Sequence, residues 1–224
     1  MLVSNPYKGK RVGGSVGLPL PGVKVRVVNE DNKPCKVDEI GGIQVKGPNV
    51  FKGYWRMPEK TAEEFTADGF FCTGDQGERR PDGQLKITGR LKELFKTGKG
   101  KYVAPAPIEN KLNSHPMVES SMVSGVGQSA SYALVVLAEA IRPKLSDPAF
   151  KAEVTEQMTA LLKETNQGLA DYEQMKMLVI AKEPWSIENG CLTPTMKIKR
   201  NRIETGVQDH VDAWYASKGP VHWA

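Results

Sequence analysis

The sequence predicts an α+β protein in two parts, a β-rich region over residues 1–88 followed by a compact α+β region over 93–224. Three observations carry this. Val23, Val25 and Val27 alternate with Lys24 and Arg26, and Ile43-Gln44-Val45-Lys46 repeats the pattern; period two marks half-buried strands. Gly and Pro punctuate this first region densely, which favours a small barrel or sandwich over helices. Past residue 105 the period changes, and Phe150, Val154, Met158, Leu161 and Leu162 fall on one helical face. The boundary between the two regimes is expected at Gly89-Arg90-Leu91-Lys92.

Taken in order, Asn29-Glu30-Asp31-Asn32 supplies a turn after the first strand, and Gly41-Gly42 and Gly47-Pro48 bound the second. Pro81-Asp82-Gly83 has turn chemistry directly before Gln84-Leu85-Lys86-Ile87-Thr88, so a hairpin is expected there. Ile108 and Leu112 predict a short helix that stops near His115-Pro116. Residues 117–126 and 132–139 read as strands, 148–165 as the best-marked helix, and Met177 to Ala181 as another strand. Ile203, Val207, Val211 and Trp214 mark a final amphipathic helix.

Composition limits the function classes. With 39% apolar and 25% charged residues the chain belongs among globular rather than disordered proteins. No stretch approaches the roughly 18 consecutive apolar residues of a membrane span, and the first residues lack the pattern of a secretory signal. Cys35, Cys72 and Cys191 are far apart and have no paired spacing, which argues against a disulfide scaffold or zinc site and for a reducing cytoplasm. His115, His210 and His222 do not cluster, so no metal site is assigned. A net charge of +5 suits nucleic acid, an anionic membrane surface or small phosphorylated ligands without choosing among them.

Three segments carry chemistry. Thr73-Gly74-Asp75 follows the apolar Phe70-Phe71-Cys72 and reads as a carboxylate at a strand end, able to accept hydrogen bonds from two neighbouring hydroxyls such as those of a ribose. A turn-capping Asp is the competing reading, and from these three residues alone it is the favoured one. The run from Gly89 to Pro105 holds Arg90, Lys92, Lys96, Lys99 and Lys101 with Gly98 and Gly100, a flexible loop suited to phosphate; a solvated basic turn or a nucleic-acid loop is the competing reading. Thr193-Pro194-Thr195-Met196-Lys197-Ile198-Lys199-Arg200 precedes the last helix. A lysine on such a loop can act as a point charge on phosphate, although the segment also reads as the charged first turn of a surface helix.

In combination these segments resemble one superfamily. GSVGLPLPG (14–22), Gly53-Tyr54-Trp55 with Pro58-Glu59-Lys60-Thr61, and DGFFCTGD (68–75) resemble the barrel subdomain of the adenylate-forming, AMP-binding enzymes. GRLKELFKTGKGKYVAPAPIE (89–109) and LTPTMKIKR (192–200) look most like the long-chain fatty acid–CoA ligases. The resemblance implies a small β-barrel subdomain over 1–88, a hinge over 89–92 and an α+β lid domain over 93–224. It implies ligation of fatty acid to CoA, driven by ATP, through an acyl-adenylate with release of pyrophosphate and then AMP.

Residue by residue, the resemblance makes Asp75 and Arg90 the ribose contacts, Lys92 the hinge, and Lys197 the lysine that reaches the carboxylate and α-phosphate. Lys99, Gly100 and Lys101 become the loop facing the CoA channel. Met196 stands where the family usually has Gly, and the 97–101 loop is one residue longer than in many relatives. The family's Ser/Thr/Gly-rich phosphate loop and its aromatic–Gly–Thr–Glu segment are not in this sequence. The triphosphate cradle, the Mg2+ site and the acyl pocket are therefore expected on a missing N-terminal domain, and this chain is expected to be inactive alone. Small-molecule partners are expected and nucleic acid is not, with peripheral contact to a membrane left open. Two alternatives stay open as well: a non-catalytic module binding nucleic acid or phosphate, and an adenylating enzyme that loads a carrier-protein thiol.

Overall fold

The computed structural model describes residues 2–224. It divides into two compact units, Met1–Leu94 and Phe95–Ala224.

In the first unit β1 (Val3–Ser4) pairs with β2 (Leu18–Pro19). Beside this small ribbon, β3 (Lys24–Val28), β4 (Gly41–Lys46), β5 (Phe71–Arg79) and β6 (Leu85–Arg90) form an antiparallel sheet in the order β3-β4-β5-β6. The alternation read from Val23–Val27 sets its register: Val25 faces Val45 and Val27 faces Ile43. Val27, Ile43, Val45 and Leu85 are the buried centre, with Val16, Val25 and Phe71 packed against them. The β5–β6 hairpin closes at the expected Pro81-Asp82-Gly83 turn, where the Arg80 amide donates to the Gln84 carbonyl and the Gly83 amide to Arg80.

The expected barrel is not there. The sheet is open, because both outer edges are already occupied by loop segments. The Cys35 amide donates to the Val27 carbonyl on the β3 edge. On the β6 edge the Val16 amide donates to the Leu85 carbonyl and the Leu85 amide to that of Gly17. Loop backbone thus satisfies the edge groups that strand-to-strand closure would have used. The Gly/Pro-rich sequence also hides one helix, α1 (Pro58–Glu64), with Pro at its first turn and no buried residue. Thr61 anchors it: its hydroxyl donates to the Met57 carbonyl and accepts from the Tyr54 amide, both at 2.9 Å.

The second unit opens with a small hairpin, β7 (Phe95–Lys96) and β8 (Tyr102–Val103), then α2 (Pro105–Asn113). Its main sheet runs β12-β11-β10-β9, built from β9 (Val118–Ser124), β10 (Ser131–Leu137), β11 (Met175–Ile180) and β12 (Val221–Trp223). β9 and β10 are antiparallel, whereas β10–β11 and β11–β12 are parallel. The parallel crossover is made by α3 (Pro148–Gln167), which Asp147 caps by accepting the Ala149 amide at 2.9 Å. Val154, Met158, Leu161 and Leu162 are buried along one face of α3, and each such side chain contributes roughly 1.5–3 kcal/mol relative to exposure. With α2 they cover one face of the sheet, while α4 (Arg200–Ala216) covers the other through Ile203 and Trp214. Coverage on both faces explains why every residue of β10 is buried and why its sequence runs apolar instead of alternating.

Candidate functional site

Asp75 is not at a strand end. Thr73-Gly74-Asp75 lies within β5 and forms a bulge: Cys72 pairs with Gln44 and Gln76 with Gly42, so three residues of β5 face Ile43 alone. The Thr73 hydroxyl donates to the Ile43 carbonyl at 2.9 Å and accepts the Asp75 amide at 3.1 Å. Gly74 takes φ +75°, a left-handed conformation open to glycine without steric cost. Such a bulge re-aims the next side chain. The Asp75 carboxylate consequently meets its cross-strand neighbour Arg90, with Nε 3.2 Å from Oδ1. Both side chains keep access to solvent, 29% for Asp75 and 62% for Arg90, so the pair can still accept and donate to a ligand.

Lys92 follows in a single 3-10 turn, Leu91–Glu93. Its side chain is 85% exposed, with Nζ 3.7 Å from Glu64. At that exposure the ion pair fixes little.

In the second unit the 97–101 loop closes the β7–β8 hairpin, with the Thr97 amide donating to the Lys101 carbonyl and the Gly100 amide to Thr97. It is pinned from behind, since the Gly98 amide donates to the Gln128 carbonyl at 2.7 Å and the Gly127 amide to Lys96 at 3.0 Å. A Cβ on Gly98 would stand 2.6 Å from the Gly127 carbonyl oxygen, so only glycine permits this approach. Lys99, Gly100 and Lys101 face solvent.

Lys197 sits in a tight turn bracketed by the bridge between Leu192 and Ile198. The Thr193 amide donates to the Lys197 carbonyl at 2.8 Å and the Met196 amide to Thr193 at 2.9 Å. The Thr193 hydroxyl accepts the Lys197 amide at 3.0 Å. Met196, standing where glycine was expected, holds φ +61° with its side chain 66% exposed. Lys197 itself is exposed and precedes α4 rather than lying in its first turn.

Two residues behind this turn escaped the sequence reading. Arg200, at the start of α4, donates from both terminal nitrogens to Glu109 of α2, at 2.7 and 2.6 Å. The Glu109 carboxylate also accepts the Val123 amide of β9 at 2.7 Å. Ninety-one residues separate the pair, so no local pattern announces it. A recess of about 830 Å³ beside α4 is lined by Ser124, Gln128, Tyr132, Glu204 and Asp209, and by none of the expected site residues. Burial pushes the pKa of the Tyr132 phenol above that of a free phenol, and the Glu204 charge raises it further. Among the described residues no group of three or more His, Cys, Asp or Glu side chains comes together as metal ligands would.

Comparison with known proteins agrees with this anatomy. Residues 1–55 match the AMP-binding enzyme family and residues 94–219 its AMP-binding enzyme C-terminal domain. Long-chain-fatty-acid–CoA ligase 1 of Cavia porcellus is 36% identical over 93% of this chain and 32% of its own length. The crystal structure of ATP-bound MatB from Rhodopseudomonas palustris superposes with a TM-score of 0.71 at 37% identity, over 93% of this chain and 39% of MatB. The AMP complex of the A-PCP didomain of a carboxylic acid reductase from Segniliparus rugosus gives 0.71 at 27% identity, over 88% of this chain and 28% of that one. This chain spans about a third of the length of the ligases it matches. The C-terminal domain match takes in more than half of the residues, including the Lys197 turn and the Glu109–Arg200 pair behind it, and the chain belongs to the AMP-binding enzyme family.

Proposed function

We propose that this chain is the C-terminal portion of an ATP-dependent acyl-CoA synthetase acting on long-chain fatty acids. The observation that carries the reading is the Lys197 turn, an exposed ammonium on a backbone held by three hydrogen bonds and placed directly before α4. A fixed cation there suits the reaction. As the carboxylate attacks the α-phosphate, negative charge builds on the phosphorus oxygens and the leaving pyrophosphate, and a preorganised ammonium stabilises it. Asp75 would accept the ribose hydroxyls with Arg90 beside it, and the single turn at Lys92 would be the pivot between adenylation and thiol attack. The 97–101 loop, pinned by Gly98, would face the thiol's channel. ATP would be the energy source and CoA the acceptor. The similarity to an A-PCP didomain supports a second reading, in which a carrier-protein thiol takes the acyl group.

The test is a graft. This chain replaces the corresponding third of the Cavia porcellus ligase, and pyrophosphate release is followed with palmitate, ATP and either CoA or a phosphopantetheinylated carrier. Fatty-acid-dependent release with CoA consumption is expected, and acylation of the carrier alone would favour the second reading. A folded graft that releases no pyrophosphate would overturn the proposal. The 224-residue chain by itself is expected to show no ATP–pyrophosphate exchange above a no-enzyme control.

A further inference from the structure

We infer that Glu109 and Arg200 form a positioning pair that fixes where the Lys197 turn stands on its domain. The chemical purpose rests on the reading of Lys197 given above, while the mechanical claim stands on the geometry alone. The hydrogen bonds among Thr193, Met196 and Lys197 give the turn its shape, but all of them lie within the turn and none ties it to the sheet. That tie is made by its flanks. Ile198 and Leu192 pack only partly buried against the α4 face. Three residues beyond Lys197, a reach of about 10 Å at most, Arg200 enters a two-pronged bond with Glu109. The same carboxylate holds the Val123 amide, so one group joins α2, β9 and the start of α4.

The residue types chosen make sense as positioning and poor sense as stabilisation. The pair is largely out of water, with side chains 18% and 9% exposed, and buried ion pairs can be replaced by apolar residues without loss of stability. An arginine at the first position of a helix also opposes the helix dipole, and Lys199 before it provides no side-chain cap. The Glu109 carboxylate offsets the first fault by pairing with the guanidinium. What a planar fork on a carboxylate adds is orientation: two parallel bonds fix the guanidinium in plane and distance, which a lysine cannot do.

The experiment uses the 224-residue chain itself, 15N-labelled, with amide hydrogen exchange read by NMR. In Glu109→Gln and in Arg200→Lys, the amides of Met196, Lys197 and Lys199 are expected to exchange at least tenfold faster than in the wild type. The amides of Ala133 to Val136 should stay within twofold, and Arg200→Lys, which keeps the charge, should be the milder variant. Unchanged exchange in the turn would overturn the inference. So would equal acceleration in the turn and in β10, which would make the pair a general stabiliser. Should Glu109→Gln fail to fold, Arg200→Lys carries the test. No nucleotide enters the measurement, so its outcome is separate from whether Lys197 acts in adenylation, which Lys197→Ala decides.

Discussion

Met196 shows how far a single backbone angle can be read. A side chain at φ +61° costs on the order of 1 kcal/mol that glycine would not incur, and this one is exposed and contributes little packing. Met196→Gly is therefore expected to raise stability by about 0.5–1 kcal/mol, whereas β-branched Met196→Val lowers it; urea unfolding of both variants measures the sign. Lys197→Ala should behave differently, since the turn is held by the backbone of Lys197 and by Thr193, which the substitution leaves in place. Its melting temperature should match the wild type. In the grafted enzyme adenylation should fall by about 10²–10³, the usual loss on removing one charge-stabilising donor, while thioester formation from supplied acyl-adenylate is largely spared. Equal losses in both steps would make the lysine structural. Lys197 could be singled out from its motif, but Glu109 could not, because a lone glutamate in a short helix has no local mark of a partner ninety-one residues away.

Among the elements, the ones with a strong period were legible. α3 shows its buried stripe in the spacing of Val154, Met158, Leu161 and Leu162, and β3 and β4 in their alternation. α1 was hidden because it buries nothing and so has no stripe to read. Thr73-Gly74-Asp75 reads as a strand end because it follows the apolar Phe70-Phe71-Cys72, but a glycine inside a strand also marks a bulge, and only the β4 register distinguishes the two. The turn ahead of β5 carries a pH-dependent tie. Arg26 of β3 donates to both oxygens of Asp68, at 2.7 and 3.1 Å, and lowers its pKa to about 2, with Thr66 assisting. A carboxyl depressed in the folded state adds stability above its unfolded value, near 3.9, and loses it as pH falls through the folded one. Asp68→Asn should therefore lower the melting temperature at pH 5, with the difference from wild type shrinking between about pH 4 and pH 2. A constant gap across that range would contradict the assignment.

At the scale of the whole molecule, the sequence placed its boundary at residues 89–92 and the structure separates its units after Leu94. Leu91 is 44% exposed and the Lys92 side chain 85%, whereas the basic loop that follows is pinned to residues 127–128. Trypsin should accordingly cut at Arg90 or Lys92 before any site in α3; early fragments ending within α3, with the 90–92 segment intact, would refute this order. The expected barrel failed for a reason of the same scale, since closure depends on what lies along the sheet's outer edges, and the Val16–Gly17 loop on the β6 edge is distant in sequence from the strand it covers. The central strand of the second unit has a consequence for how the protein is made. Tyr132 to Leu137 is six uncharged, largely apolar residues, with every one of them buried. Its hairpin partner β9 is synthesised before it, but β11 and the α4 cover arrive only after some forty and seventy further residues. During that interval the segment is an open template for pairing with another nascent copy, the kind of short apolar stretch that nucleates aggregates. The hazard for this chain is thus one of timing, and it closes once α4 covers the strand.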